Sequence, residues 1–138
     1  MTAFIHLLGQ PFARRVLDAA LEGDRVASAY LFEGGPGCGK KTAALDLAAA
    51  LVAQGNPDGQ RRVHSGVHPD VKTFAPAGAG FKVDQVRELL KETALRPVEG
   101  ARRVFILDRA EALNDASSNA LLKSIEEPPA GLHWILVT

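Results

Sequence analysis

The chain has 138 residues, room for one domain with its own core but hardly for two, and 46% of them are hydrophobic with few aromatics. Its 16 Lys and Arg balance 16 Asp and Glu, so no global field draws in nucleic acid and any such contact must be local. The single cysteine, Cys38, excludes a disulfide framework or a cysteine-based zinc site within one chain. With no signal-like start and no run near the ~18 apolar residues of a membrane span, a cytoplasmic protein is expected.

Pro11 suits the first turn of a helix, and Phe12, Val16, Ala20 and Leu21 then recur at helical spacing until Gly23. "SAYLFE", residues 28–33, reads as a short buried strand. It runs into the Gly-rich "GGPGCGK", and an Ala- and Leu-rich helix follows from Lys41 to about Gln54. Residues 55–66, "GNPDGQRRVHSG", have no period and read as a loop. A strand is expected near 71–75. Val83, Val86, Leu89, Leu90 and Ala94 then make one stripe of an amphipathic helix that Pro97 and Gly100 stop. "RRVFILD" is a continuous apolar run ending in Asp108, as a central parallel strand covered on both faces would be. Asn114 can cap the next helix, which Pro128 and Pro129 stop, and the last strand is expected near 133–137. Strands alternating with helices argue for an α/β fold, a parallel sheet with helices on both faces.

The chemistry centres on residues 34–42. Gly34, four residues, Gly39 and Lys40 match the start of a P-loop, in which backbone N–H groups cradle phosphates and the Lys neutralises their charge. Gly34, Gly35, Gly37 and Gly39 would let the backbone approach the phosphates. A plain Gly-rich turn is the alternative. The next position should offer Mg²⁺ a hydroxyl, but here it is Lys41. Thr42 comes one residue late, about 100° around the helix. An ammonium has only donors and cannot ligate a metal; it can contact a phosphate or turn to solvent. Asp108, at the end of "VFILD", could orient Mg²⁺ or merely cap the next helix. Arg109 stands where a water-activating Glu belongs, and Glu111 is a poor substitute beyond the strand end. His64 and His68 have i, i+4 spacing but read as surface residues in a loop, so no metal is assigned to them. Arg61, Arg62, Arg102 and Arg103 could touch DNA phosphates, with a solvated surface the plainer reading. His6 and His133 read as structural histidines.

"GQPFARRVLDAALEGDRVASAYLFEGGPGCGKKTAALDLAAALV", "GVHPDVKTFAP", "VDQVRELL" and "ARRVFILDRAEALNDASSNALLKSIEEPPAGLHWILVT" together resemble the AAA+ subunits of the bacterial DNA polymerase III clamp loader, most of all those of the delta-prime kind. The resemblance covers nearly the whole chain, and "NALLKSIEEPP" is its specific part. It implies the P-loop NTPase-like fold with strand order 1-4-3-2, and residues 1–138 as one AAA+ subdomain. That subdomain would be incomplete at its C-terminal end, truncated before the fifth strand, arginine finger and lid.

The resemblance also implies an adenine side near Leu8, Gly9 and Gln10. Delta-prime subunits often carry decayed ATPase motifs and serve as a rigid stator, whereas gamma/tau subunits keep a Lys-Thr P-loop and an Asp-Glu strand end. Lys41 and Arg109 depart from gamma/tau at both places. The implied function is a non-catalytic clamp-loader subunit with a degenerate ATP site, helping load the sliding clamp during replication, without ATPase or polymerase activity of its own. ATP or ADP would bind weakly, with Mg²⁺ poorly held. The implied partners are gamma/tau and delta, the sliding clamp indirectly, and primed DNA through the assembly, with no membrane. The alternative is an active P-loop ATPase of the gamma/tau type. Related subunits place four cysteines for a zinc module between the P-loop helix and "HPD"; residues 54–66 contain none, so no zinc is expected.

Overall fold

In the computed structural model the described residues are 19, 21–23, 26–34, 39–76, 78 and 80–138. The first expected helix lies mostly outside them; Ala19, Leu21 and Glu22 are helical. The elements that follow are β1 (Ala29–Phe32), α1 (Lys40–Val52), α2 (Pro57–His64), β2 (Val71–Phe74), α3 (Val83–Glu92), β3 (Arg103–Leu107), a 3₁₀ turn (Ala110–Ala112), α4 (Asp115–Glu126) and β4 (Leu132–Val137).

The four strands form one sheet in the order β1-β4-β3-β2, with all three pairings parallel. This is the order the family resemblance implies, with β3 inside the sheet and β1 at an edge. A parallel sheet needs helical crossovers, and these cover both faces. Alternation along the central strands sorts the core. Val104, Ile106, Ile135 and Val137 pack with Ala44, Leu47 and Ala48 of α1 and Val63 of α2. Phe105, Leu107, Leu132 and Trp134 pack with Val86 and Leu89 of α3 and Leu121 of α4. Phe105 meets Trp134 edge-on, with centroids 5.4 Å apart. Asn114 caps α4 as expected, its Oδ1 accepting from the Ser117 N–H at 2.8 Å.

The structure corrects three expectations. Residues 57–64 are a helix, not a loop. Asn56 Oδ1 accepts from the Gly59 N–H at 3.1 Å, Pro57 opens the first turn, and Val63 is buried. His64 and His68 are not surface residues. His68 is buried, its Nδ1 accepting from the Asp70 N–H at 3.0 Å, and His64 Nε2 lies 3.1 Å from the carboxylate of Asp46, buried in α1. Arg103 is not solvated either. It is buried, with its guanidinium over the Phe105 ring and donating to the Glu92 and Leu95 carbonyls. A cation at those carbonyls complements the negative end of α3, where the chain tightens into turns at Thr93–Leu95 before Pro97.

Arg62 is held as well, bidentate on Glu99 at 2.5 and 2.7 Å. The Glu99 carboxyl consequently sits below the usual carboxylate range. Asp70, fully buried, accepts from the Val98 and Glu99 N–H groups at 2.6 and 2.8 Å and fastens the same loop. His133 is structural, as expected: its ring Nδ1 donates to the Ala27 carbonyl at 2.8 Å.

Candidate functional site

In a parallel sheet all strands end on one side, and here those ends carry the polar residues of interest. β1 runs out through Glu33 and Gly34. The chain re-enters the described residues at Gly39, which takes a left-handed backbone (φ 86°) at the N-terminus of α1. That conformation suits glycine and turns the chain sharply into the helix. Gly35 and Gly37 of the loop, and Leu8, Gly9 and Gln10, lie outside the described residues.

Lys40 begins α1. Its ammonium donates to the Gly34 carbonyl at 2.6 Å and to the Thr138 carbonyl beyond β4, so it ties the loop to the sheet. Lys41 points another way. Its Nζ lies 3.6 Å from Asp108 Oδ2, at the end of β3. The backbone of Asp108 is itself fixed, its N–H donating to the Phe74 carbonyl at 2.8 Å. The 3₁₀ turn that follows has Arg109 at its N-cap with no side-chain cap bond, and the Asp108 carboxylate just before it faces Lys41.

Arg109 is the one described non-glycine residue with positive φ (φ 56°, ψ 51°). For an L-residue this backbone costs about 1–2 kcal/mol. Arg109 lines a cavity of about 300 Å³ together with Gly39, Lys40, Lys41 and Thr42 at the start of α1, Asp108 and Glu111 after β3, and Val137 and Thr138 at the end of β4.

Lys40, Lys41, Thr42 and Asp108 therefore converge on one cavity. Two features escaped the sequence reading. One is the anchoring of Lys40 on Thr138, a contact between residues 98 apart that no local pattern encodes. The other is the turn that brings Arg109 and Glu111 to the same rim. Chemically, three cations against two carboxylates around an open cavity suit an anion. A divalent cation would find Asp108 already faced by an ammonium and no hydroxyl at position 41. Among the described residues no group of three or more His, Cys, Asp or Glu is placed to hold a metal ion, and no described helix is long and apolar enough to cross a membrane.

The family described as "DNA polymerase III, delta subunit" matches residues 9–138. The chain is 39% identical to the DNA polymerase III subunit gamma/tau of Mycobacterium tuberculosis, over 99% of this chain and 25% of that protein. It is 33% identical to the subunit delta' of Bacillus subtilis, over 94% of this chain and 41% of that protein. It thus spans less than half the length of either relative. A crystal structure of a DNA polymerase III gamma subunit-related protein from Thermotoga maritima shares the fold, with a TM-score of 0.69 at 20% identity over 88% of this chain and 38% of that one. The chain belongs to the clamp-loader family of DNA polymerase III subunits, to which the delta-prime and gamma/tau proteins belong.

Proposed function

We propose that this chain is the nucleotide-site subdomain of a non-catalytic, stator-like clamp-loader subunit, one that helps load the sliding clamp on primed DNA without hydrolysing ATP. Its partners would be the gamma/tau and delta subunits, with the clamp and the DNA engaged through the assembly. One observation carries the reading: the Lys41 ammonium lies 3.6 Å from Asp108, the carboxylate a Mg²⁺ would be expected to use. A metal bound there would have to displace a covalently tethered cation from its carboxylate. Arg109 strengthens the case, since a guanidinium cannot take a proton from water at neutral pH. The phosphate half of the site is better kept, with Gly39 and Lys40 in place, so weak binding of ATP or ADP fits these residues and Mg²⁺ does not.

A second reading keeps a specific support. The gamma/tau relative matches almost the whole chain at 39% identity, which favours an active ATPase of that type. Steady-state phosphate release separates the two. The wild-type chain should not exceed background. General-base catalysis is typically worth about 10² to 10⁴ in rate, and Arg109 supplies none. Turnover of several per minute that Lys40→Ala abolishes would overturn the stator reading and establish the ATPase.

A further inference from the structure

The cavity places its extra positive charge where a metal-assisted phosphate site has a hydroxyl and a carboxylate: Lys41 follows Lys40, and Arg109 follows Asp108. Lys40, Lys41 and Arg109 reach it from two elements, against the carboxylates of Asp108 and Glu111. The molecule as a whole is neutral, so this excess is local. From this geometry we infer that the cavity binds a polyphosphate chain in its metal-free form, with Lys41 and Arg109 supplying the charge a Mg²⁺ would otherwise bring. The inference builds on the non-hydrolytic reading of the site and adds a ligand form and two ligand residues to it.

The electrostatics run in one direction. A metal-free triphosphate brings its full negative charge to three cations. Lys41 is exposed along most of its side chain (61%), so its ammonium can turn toward an anion in the cavity, while the Asp108 carboxylate (24% exposed) keeps some contact with water. With Mg²⁺ bound, the same phosphates arrive partly neutralised, and the metal meets an ammonium in place of a hydroxyl. Metal and Lys41 then compete for one carboxylate. Arg109 adds a planar fork of donors suited to phosphate oxygens. Arg109 lines the cavity directly after Asp108, within the same pocket as Lys40 and Lys41. Mg²⁺ should therefore oppose binding.

Isothermal titration of the protein tests this, with ATP and with inorganic tripolyphosphate as two separate probes, each in EDTA and in excess Mg²⁺. Affinity in EDTA should exceed that in Mg²⁺ by about tenfold, the size of one partly screened charge contact. Equal binding of the two probes assigns recognition to the phosphate chain. Preference for ATP adds the nucleoside. Arg109→Gln should weaken binding in EDTA by roughly five- to tenfold and Arg109→Lys by less, since it keeps the charge and loses the fork, and Lys41→Thr should reverse the sign of the Mg²⁺ effect. Thermal melts of each variant check that the fold is intact. Binding by the wild type that is tighter with Mg²⁺, or no binding of either probe in EDTA at millimolar concentration, would overturn the inference. Hydrolysis of ATP with this Mg²⁺ dependence unchanged would instead overturn only the stator reading.

Discussion

Arg109 shows how one residue can be held against its own preference. Its φ of 56° is unfavourable for an L-side chain, yet the turn that follows requires it: the Arg109 carbonyl accepts from the Ala112 N–H at 2.9 Å, and the Ala112 carbonyl accepts from the Phe81 N–H. Asparagine tolerates this backbone better than most residues. Arg109→Asn should therefore raise stability by about 0.5–1 kcal/mol in urea denaturation, part of the 1–2 kcal/mol that the conformation costs. The same change should weaken anion binding, because the guanidinium is gone. Gains in stability and losses in binding from one substitution mark a position kept for its charge rather than for the fold. If Arg109→Asn is destabilised, the turn depends on the arginine side chain and the site loses this argument. The two unusual cations were legible beforehand, since Lys41 and Arg109 are plain departures from a P-loop and an Asp-Glu strand end. Their convergence was not, because it depends on the order in which β1, β3 and β4 lie in the sheet.

At the scale of the element, α2 is the segment the sequence conceals. "PDGQRRVH" contains Gly, has one buried apolar residue, Val63, and carries no stripe long enough to read. Its stability is tertiary. Gly59 packs so closely on α1 that a Cβ there would come 2.9 Å from the Ala53 Cβ, Gln60 donates to the Ala53 carbonyl at 3.1 Å, and His64 meets the buried Asp46. Two tests follow from this packing. Asn56→Ala should cost about 1 kcal/mol, the usual loss when a cap oxygen is removed. Gly59→Ala should destabilise, although helix propensity alone favours Ala by about 1 kcal/mol. Pairing it with Ala53→Gly should restore part of the loss by opening the contact. Stabilisation by Gly59→Ala alone would show that α2 stands off from α1. The strands were legible for the converse reason. β3 and β4 are buried on both faces, so their apolar runs are continuous and long enough to see. Arg103 misled because a cation in that run suggests a surface, whereas the α3 carbonyls it caps come from another part of the chain.

For the whole molecule, the sheet order sets how the protein answers to pH. His133 sits at the start of β4, and its Nδ1 donates to Ala27, just before β1, so it joins the first described strand to the last. Burial pushes its pKa below the ordinary value of 6.5, while the bond to Ala27 works the other way and Arg102 nearby adds to the lowering. A histidine with a depressed pKa favours the neutral form in the folded state. Its contribution is complete above pH 6.5 and is lost as pH falls through the folded value. Glu99 and Asp58 are depressed too, Glu99 chiefly by its hydrogen bonds from Arg62 and Asp58 chiefly by its bond from Arg61. Their contributions hold above about pH 4.5 and fade below it. Stability should thus be level above pH 6.5 and fall in two stages below it. The first stage arises from burial and should be nearly indifferent to salt. The second arises from exposed ion pairs and should shrink as salt screens them. Urea denaturation from pH 2 to 8 at low and high salt resolves the stages, and the slope from His133 cannot exceed about 1.4 kcal/mol per pH unit, one proton's worth. His133→Gln keeps a donor for the Ala27 carbonyl and removes the titration, so it should flatten the first stage and leave the second. A first stage of unchanged slope in that variant would show that His133 is not its source and would overturn the prediction.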